Sequence, residues 1–132
     1  MTKRTITLTG RPPVSISDEN WPLIASASDK VFDGEYEFQA NRTSKYFIGI
    51  RQHRDGRAIV YATYSYSTNW QGERDCNKKC GKLLAEGSTI DDILGVIGEV
   101  ISDIAGGYSE YDETWSRLKA ECIANLPVEE LD

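Results

Sequence analysis

The stretch Phe47-Ile48-Gly49-Ile50-Arg51-Gln52-His53-Arg54-Asp55-Gly56-Arg57-Ala58-Ile59-Val60-Tyr61-Ala62-Thr63-Tyr64-Ser65-Tyr66 decides the fold of this chain. Two runs of apolar, β-branched and aromatic residues flank Asp55-Gly56, and Asp-Gly readily takes the two positive-φ positions of a type I′ turn. The pattern predicts a long antiparallel hairpin. With Asp55 and Gly56 as a two-residue loop, Arg54 pairs with Arg57, Arg51 faces Val60 and Ile50 faces Tyr61. One face then carries Tyr46, Ile48, Ile50 and Gln52 with Ile59, Tyr61 and Thr63. The other carries Phe47, Gly49, Arg51 and His53 with Ala58, Val60, Ala62 and Tyr64. Both faces are partly apolar, so either is able to pack against helices.

Upstream, Thr5-Ile6-Thr7-Leu8-Thr9 alternates and reads as a strand closed by Gly10-Arg11-Pro12-Pro13, with Val14 and Ile16 continuing the extended path. Ser17-Asp18-Glu19-Asn20-Trp21-Pro22-Leu23-Ile24 reads as a short helix with acids in its first turn, starting as late as Trp21 because of Pro22. Glu35-Tyr36-Glu37-Phe38-Gln39, after Asp33-Gly34, reads as a half-buried strand.

Downstream, residues 67–87 are mostly polar with three glycines and read as a long loop with a short helical turn near Cys76, and loops this long in compact domains are often functional. The next segment is a helix over about 89–105. Ser88 or Thr89 caps it, Asp91 and Asp92 sit in its first turn, and Gly106-Gly107 stops it. Ile90, Ile93, Leu94, Ile97, Val100, Ile101 and Ile104 form one apolar stripe, while Gly95 and Gly98 suggest close packing on a neighbour. A last helix covers about 112–126, with Trp115, Leu118, Cys122 and Ile123 facing inward. The reading is one α+β domain over residues 1–132: an antiparallel sheet of three to four strands with a long central hairpin, packed by two C-terminal helices.

Composition bounds the function. The 132 residues suit one domain and carry a net charge of −6. That charge is uneven: residues 1–60 hold nine Lys and Arg against seven Asp and Glu, and residues 61–132 hold six against fourteen. Such a chain is unlike a general nucleic-acid binder, which needs a net positive field over many phosphates. No apolar run is long enough to span a bilayer and Met1-Thr2-Lys3-Arg4 lacks a signal-type segment, so the expected location is the cytoplasm with no membrane partner.

Three cysteines, Cys76, Cys80 and Cys122, accompany a single histidine, His53. Cys-x3-Cys departs from the Cys-x2-Cys spacing of structural zinc sites. On a helix Cys76 and Cys80 would share a face beside Lys78 and Lys79, which favours thiolate and a redox or adventitious metal site. The alternative is three reduced thiols of a cytosolic protein. No catalytic residue, metal ligand or cofactor is assigned. His53 has no serine or cysteine near it in an elbow context, and the acidic pairs sit where helix caps want acids.

The hairpin carries the candidate contact surface: Arg51, His53, Arg54 and Arg57 with Tyr61 and Tyr64, joined by Trp70 from the following loop. Arginine and aromatic residues dominate protein–protein hot spots, and a β-ribbon of this kind also suits phosphates and stacked bases. The strings Thr7-Leu8-Thr9-Gly10-Arg11-Pro12-Pro13-Val14, Trp21-Pro22-Leu23-Ile24-Ala25 and Arg51-Gln52-His53-Arg54-Asp55-Gly56-Arg57 resemble a family of small bacterial proteins associated with plasmids, prophages and other mobile elements. The resemblance covers the first half of the chain and carries over no activity. It implies a context in which small acidic proteins bind a host or element-encoded protein. The expected function is therefore non-enzymatic protein binding, with inhibition or regulation of a nucleic-acid-handling complex as one form. The alternative is a nucleic-acid-binding module using the hairpin. An open apolar hairpin face would also serve a homodimer.

Overall fold

The computed structural model describes residues 2–33, 42–68, 76–106 and 112–127, with the backbone alone for Phe32, Asp33, Arg42, Thr68, Cys76 and Asp112. The predicted strand at 35–39 and Trp70 lie outside the described residues. The chain forms β1 (Lys3–Ile6), β2 (Val14–Ser17), β3 (Leu23–Asp33), β4 (Arg42–Gln52), β5 (Ala58–Thr68), β6 (Cys76–Leu84), α1 (Ile90–Ala105) and α2 (Asp112–Ala124). The fold is α+β. Strands β3-β4-β5-β6 make a four-stranded antiparallel sheet in sequence order, and β1 and β2 pair as a separate two-stranded sheet.

The central hairpin forms, one residue out of the predicted register. Arg51 pairs with Ile59, Ile50 with Val60 and Gly49 with Tyr61. The Gly56 N–H donates to the His53 carbonyl at 3.0 Å and the His53 N–H to the Arg57 carbonyl at 2.8 Å. Those bonds close a three-residue loop, Arg54-Asp55-Gly56, with Gly56 at φ 97°. Such loops end in a left-handed glycine, so Asp-Gly serves them as well as it serves the two-residue loop. A slip of one residue exchanges the faces of one strand against the other. Tyr46, Ile48 and Ile50 therefore share a face with Ala58, Val60, Ala62 and Tyr64, while Phe47, Gly49 and Arg51 share the opposite face with Ile59 and Tyr61.

The first face is the main core. Ile48, Ile50, Val60 and Ala62 are fully buried against Ile93, Ile97, Val100 and Ile104 of α1 and Trp115, Leu118 and Cys122 of α2. Helix α1 covers β5 and β6, and α2 covers β3 and β4. Thr89 caps α1 with a capping box shared with Asp92, and Gly106 ends it in the left-handed region at φ 65°. The expected close packing at the α1 glycines is absent: a Cβ at Gly95 would meet nothing within 4 Å, and one at Gly98 would meet only Lys119 Nζ at 3.8 Å.

The second face holds a smaller core, in which Ile6, Leu8, Ile16 and Trp21 pack on Ile59 and Tyr61. Tyr61 lies in one cross-strand row between Gly49 and Gly81. A Cβ at Gly81 would stand 2.7 Å from the Thr7 carbonyl oxygen, and one at Gly49 would stand 2.8 Å from the Phe47 ring. The missing side chains let the Thr7–Leu8 backbone and the Phe47 ring close over the sheet beside Tyr61. The Thr9 N–H reaches the Gly81 carbonyl at 2.8 Å, tying that crossing to β6.

Two predicted elements are corrected. The helix expected from Ser17 gives way to a turn and then β3, because Ala25 and Ala27 alternate inward and pair along the length of β4. The loop expected over 67–87 contains β6, an edge strand whose Lys78 and Lys79 suit an exposed sheet margin. Cys76 and Cys80 are thus four residues apart on a strand, about 13 Å along the chain, too far to share a metal or a disulfide.

Candidate binding surface

Arg51 is a charged residue within an apolar strand, and the corrected register turns it toward Tyr61. It is 6% exposed. Its Nε donates to the Tyr61 hydroxyl at 3.0 Å, and its Nη1 donates to Asp18 Oδ1 at 3.1 Å and to the Trp21 carbonyl at 2.9 Å. Asp18 also takes a two-bond contact from Arg4, Nε at 3.0 Å and Nη2 at 3.2 Å. One carboxylate therefore serves two guanidiniums. The Arg4 hydrogen bond, with the nearby Arg51 charge, holds the Asp18 carboxyl below its usual range, and Asp18 in turn raises Arg4. A buried cation needs such partners, and here they tie β4, β5 and the β2–β3 turn together.

The hairpin tip folds back on Trp21, itself 8% exposed. The His53 ring stands 5.1 Å from the Trp21 ring, and the Arg57 guanidinium lies 5.0 Å above the Trp21 centroid. Arg57 also donates to Asp55, backbone N–H at 2.9 Å and Nε at 2.8 Å. Burial pushes the Asp55 carboxyl up, but those two Arg57 contacts, together with the electrostatic pull of Arg57 and His53, leave the group below its usual range. Arg54 is exposed and makes no hydrogen bond or ion pair among the described residues.

The predicted contact residues therefore separate. His53, Arg54 and Arg57 meet at the tip. Arg51 and Tyr61 are buried beneath it as a link between layers, away from the exposed tip. Tyr64 faces the helices, 5.0 Å from the Tyr46 ring and 6.1 Å from the Tyr66 ring. Seven residues of strand, roughly 23 Å, separate it from Arg57.

Sequence reasoning missed Trp21 and Asp18 as partners of the hairpin because it placed both in a helix. A partial signal was present: an arginine at an inward strand position requires an acid, and Asp18 and Glu19 just before Trp21 are candidates for it.

Two hollows open at the tip end of the sheet. One, of about 440 Å³, is lined by Glu19, Asn20, Pro22, His53 and Arg54. The other, of about 640 Å³, lies between the start of α1 and the end of α2 and is lined by Ile90, Leu94, Ile123, Leu126 and Pro127. They share Ile24 and Gln52 as a common wall. Ile90 is 39% exposed there, one of two large apolar side chains left in the open among the described residues. No helix among the described residues is long and apolar enough to cross a membrane. Comparison with family models, curated proteins and solved structures finds no match to this chain.

Proposed function

We propose that this protein acts without catalysis, by binding a partner protein through the tip end of its sheet. The observation that carries the reading is the shared wall between an apolar hollow and an arginine-bearing one. Interfaces combine a desolvated apolar anchor with a polar rim, and arginine is enriched at their hot spots. The fitting partner segment offers an apolar side chain to the Ile90–Leu126 hollow and a carboxylate to Arg54. Rigidity supports the same reading, since Trp21 holds His53 and Arg57 in place before any partner arrives. The resemblance to mobile-element proteins favours a host or element-encoded target in the cytoplasm, with inhibition or regulation of a host complex as the specific form.

The test is an affinity pull-down from the native host at 0.3 M salt, comparing the wild type with an Arg54→Glu/Ile90→Ser variant. Both side chains are exposed, so circular dichroism of the variant should match the wild type. A stoichiometric protein lost from the variant supports the proposal. Equal capture by both proteins removes the tip end from the interaction.

A further inference from the structure

Beyond the tip, the described residues cover only part of the second face of the sheet. The β1–β2 pair closes over Ile59 and Tyr61, while Lys30, Lys45, Asn77 and Lys79, in the rows farther from the turn, are exposed. Register places Ser28, Phe47, Thr63 and Lys79 in one cross-strand row and Lys30, Lys45, Ser65 and Asn77 in the next. Lys30, Lys45 and Lys79 are exposed and form no ion pair among the described residues. No acidic residue occupies these two rows. In a chain of net charge −6, this is a basic surface set apart from the acidic helices.

Between β1 and those rows lies a hollow of about 470 Å³. Arg4, Lys79 and Thr63 contribute to its polar lining, and Leu23, Phe47 and Tyr61 to its apolar wall. Arg51 also lines it. Nη2 of Arg51 donates to no group among the described residues, although the side chain is 7% exposed. No buried side-chain nitrogen or oxygen among the described residues is left without a partner, so Nη2 opens onto the hollow. Asp18 neutralises only one of the two guanidiniums it bridges. The hollow thus holds a surplus positive charge, two unused N–H donors on a buried arginine, and an aromatic wall.

We infer that this face binds single-stranded nucleic acid, with one nucleotide seated in the hollow and its neighbours laid along Lys79, Lys45 and Lys30. A phosphate meets Arg51 Nη2 and Arg4, and the base packs against Phe47. Every base offers a π-face, so such stacking tolerates any sequence. An open sheet face fits a splayed single strand, whereas a duplex hides its bases and presents grooves that suit a helix or a narrow ribbon. The lysines extending past the hollow favour a strand over a free nucleotide. This site is separate from the tip end and does not depend on the protein-binding proposal.

The test is fluorescence anisotropy with labelled 15-mers of deoxythymidine and of uridine. Binding is expected at 0.05 M salt and should weaken roughly 40-fold at 0.3 M if about three phosphates are neutralised. Lys45→Glu/Lys79→Glu should weaken it more than about tenfold, and Phe47→Leu, which keeps the apolar packing, by about fivefold or more. Arg54→Glu/Ile90→Ser should bind like the wild type, which separates this site from the tip. No anisotropy change with either oligomer at 0.05 M salt overturns the proposal, as does binding untouched by the double lysine variant. Two competition results also overturn it: thymidine monophosphate displacing the oligomer as well as an unlabelled 15-mer does, or a 15-base-pair duplex competing equally.

Discussion

Arg51 Nε donates to the Tyr61 hydroxyl at 3.0 Å, joining a buried cation on β4 to a tyrosine on β5. Tyr61 fills the row between Gly49 and Gly81, and Arg51 goes on to Asp18 and the Trp21 carbonyl. The pair therefore fastens the hairpin to the β2–β3 turn. Arg51→Ala leaves the Tyr61 hydroxyl and the Trp21 carbonyl without their donor and should cost about 3 kcal/mol. Tyr61→Phe keeps the ring but strips one acceptor from the guanidinium and should cost about 1–2 kcal/mol. Urea unfolding measures both. A loss below ~0.5 kcal/mol for Arg51→Ala would contradict the role given to this contact.

Asp18 sets a pH dependence whose sign follows from the same cluster. Its carboxyl is held below the usual range by the Arg4 hydrogen bond, opposed by burial and aided by the Arg4 and Arg51 charges. A depressed folded-state value means that ionised Asp18 stabilises the fold above the ordinary aspartate range, near pH 4. The contribution fades as pH falls from there through the lower folded value, and Asp29, held down first by Arg117, behaves alike. Urea midpoints at pH 7 and pH 3 should therefore differ, and Asp18→Asn should narrow the gap by lowering the pH 7 value. An unchanged gap in Asp18→Asn would move the acid sensitivity elsewhere.

Glycine-to-alanine substitutions should have opposite signs at two positions. At Gly95 a methyl group meets open space inside α1, so Gly95→Ala should stabilise by about 0.5–1 kcal/mol through helix propensity and reduced unfolded-state freedom. At Gly81 the same methyl would stand 2.7 Å from the Thr7 carbonyl oxygen, a backbone atom that β1 cannot easily withdraw. Gly81→Ala should destabilise by about 1–3 kcal/mol as the crossing lifts off Tyr61. Thermal unfolding of both variants settles the comparison. A destabilised Gly95→Ala would revive the close packing that the sequence suggested.

What could be read from the sequence was what local chemistry decides. The Thr89 cap, the isoleucine stripe and Gly106 mark α1 without help from the rest of the chain. Trp115, Leu118 and Cys122 do nearly as much for α2, and the hairpin declared itself through Asp55-Gly56. The failures are non-local. Ala25 and Ala27 alternate with Ser26 and Ser28, a contrast too weak to distinguish strand from helix until β4 supplies the pairing. On β6, Lys82 points to the helix layer and meets Glu99 at 2.7 Å, so its hydrophobic pattern is broken where a strand would show it. The contact surface was legible only in part: one residue of slip and the turn carrying Trp21 put Arg51 and Tyr61 under cover and turned Tyr64 toward the helices, while His53, Arg54 and Arg57 stay together at the tip.

The cysteines supply the last prediction. Cys122 is fully buried on the inner face of α2, and that burial pushes its thiol up to about 11. At pH 8 about one part in a thousand is then thiolate, and the reagent cannot reach even that fraction without opening the helix layer. Cys80 is half-buried, and burial raises its thiol despite the Thr9 hydrogen bond. Iodoacetamide at pH 8 followed by peptide mass spectrometry should leave Cys122 unmodified in the native protein and alkylate it fully in urea, with Cys80 slow but measurable. Because reactivity of Cys122 requires exposure, its alkylation rate across a urea series reports how often α2 leaves the sheet. Rapid native labelling of Cys122 would mean that α2 detaches readily, and that the core beneath Trp115 and Leu118 is weaker than its complete burial indicates.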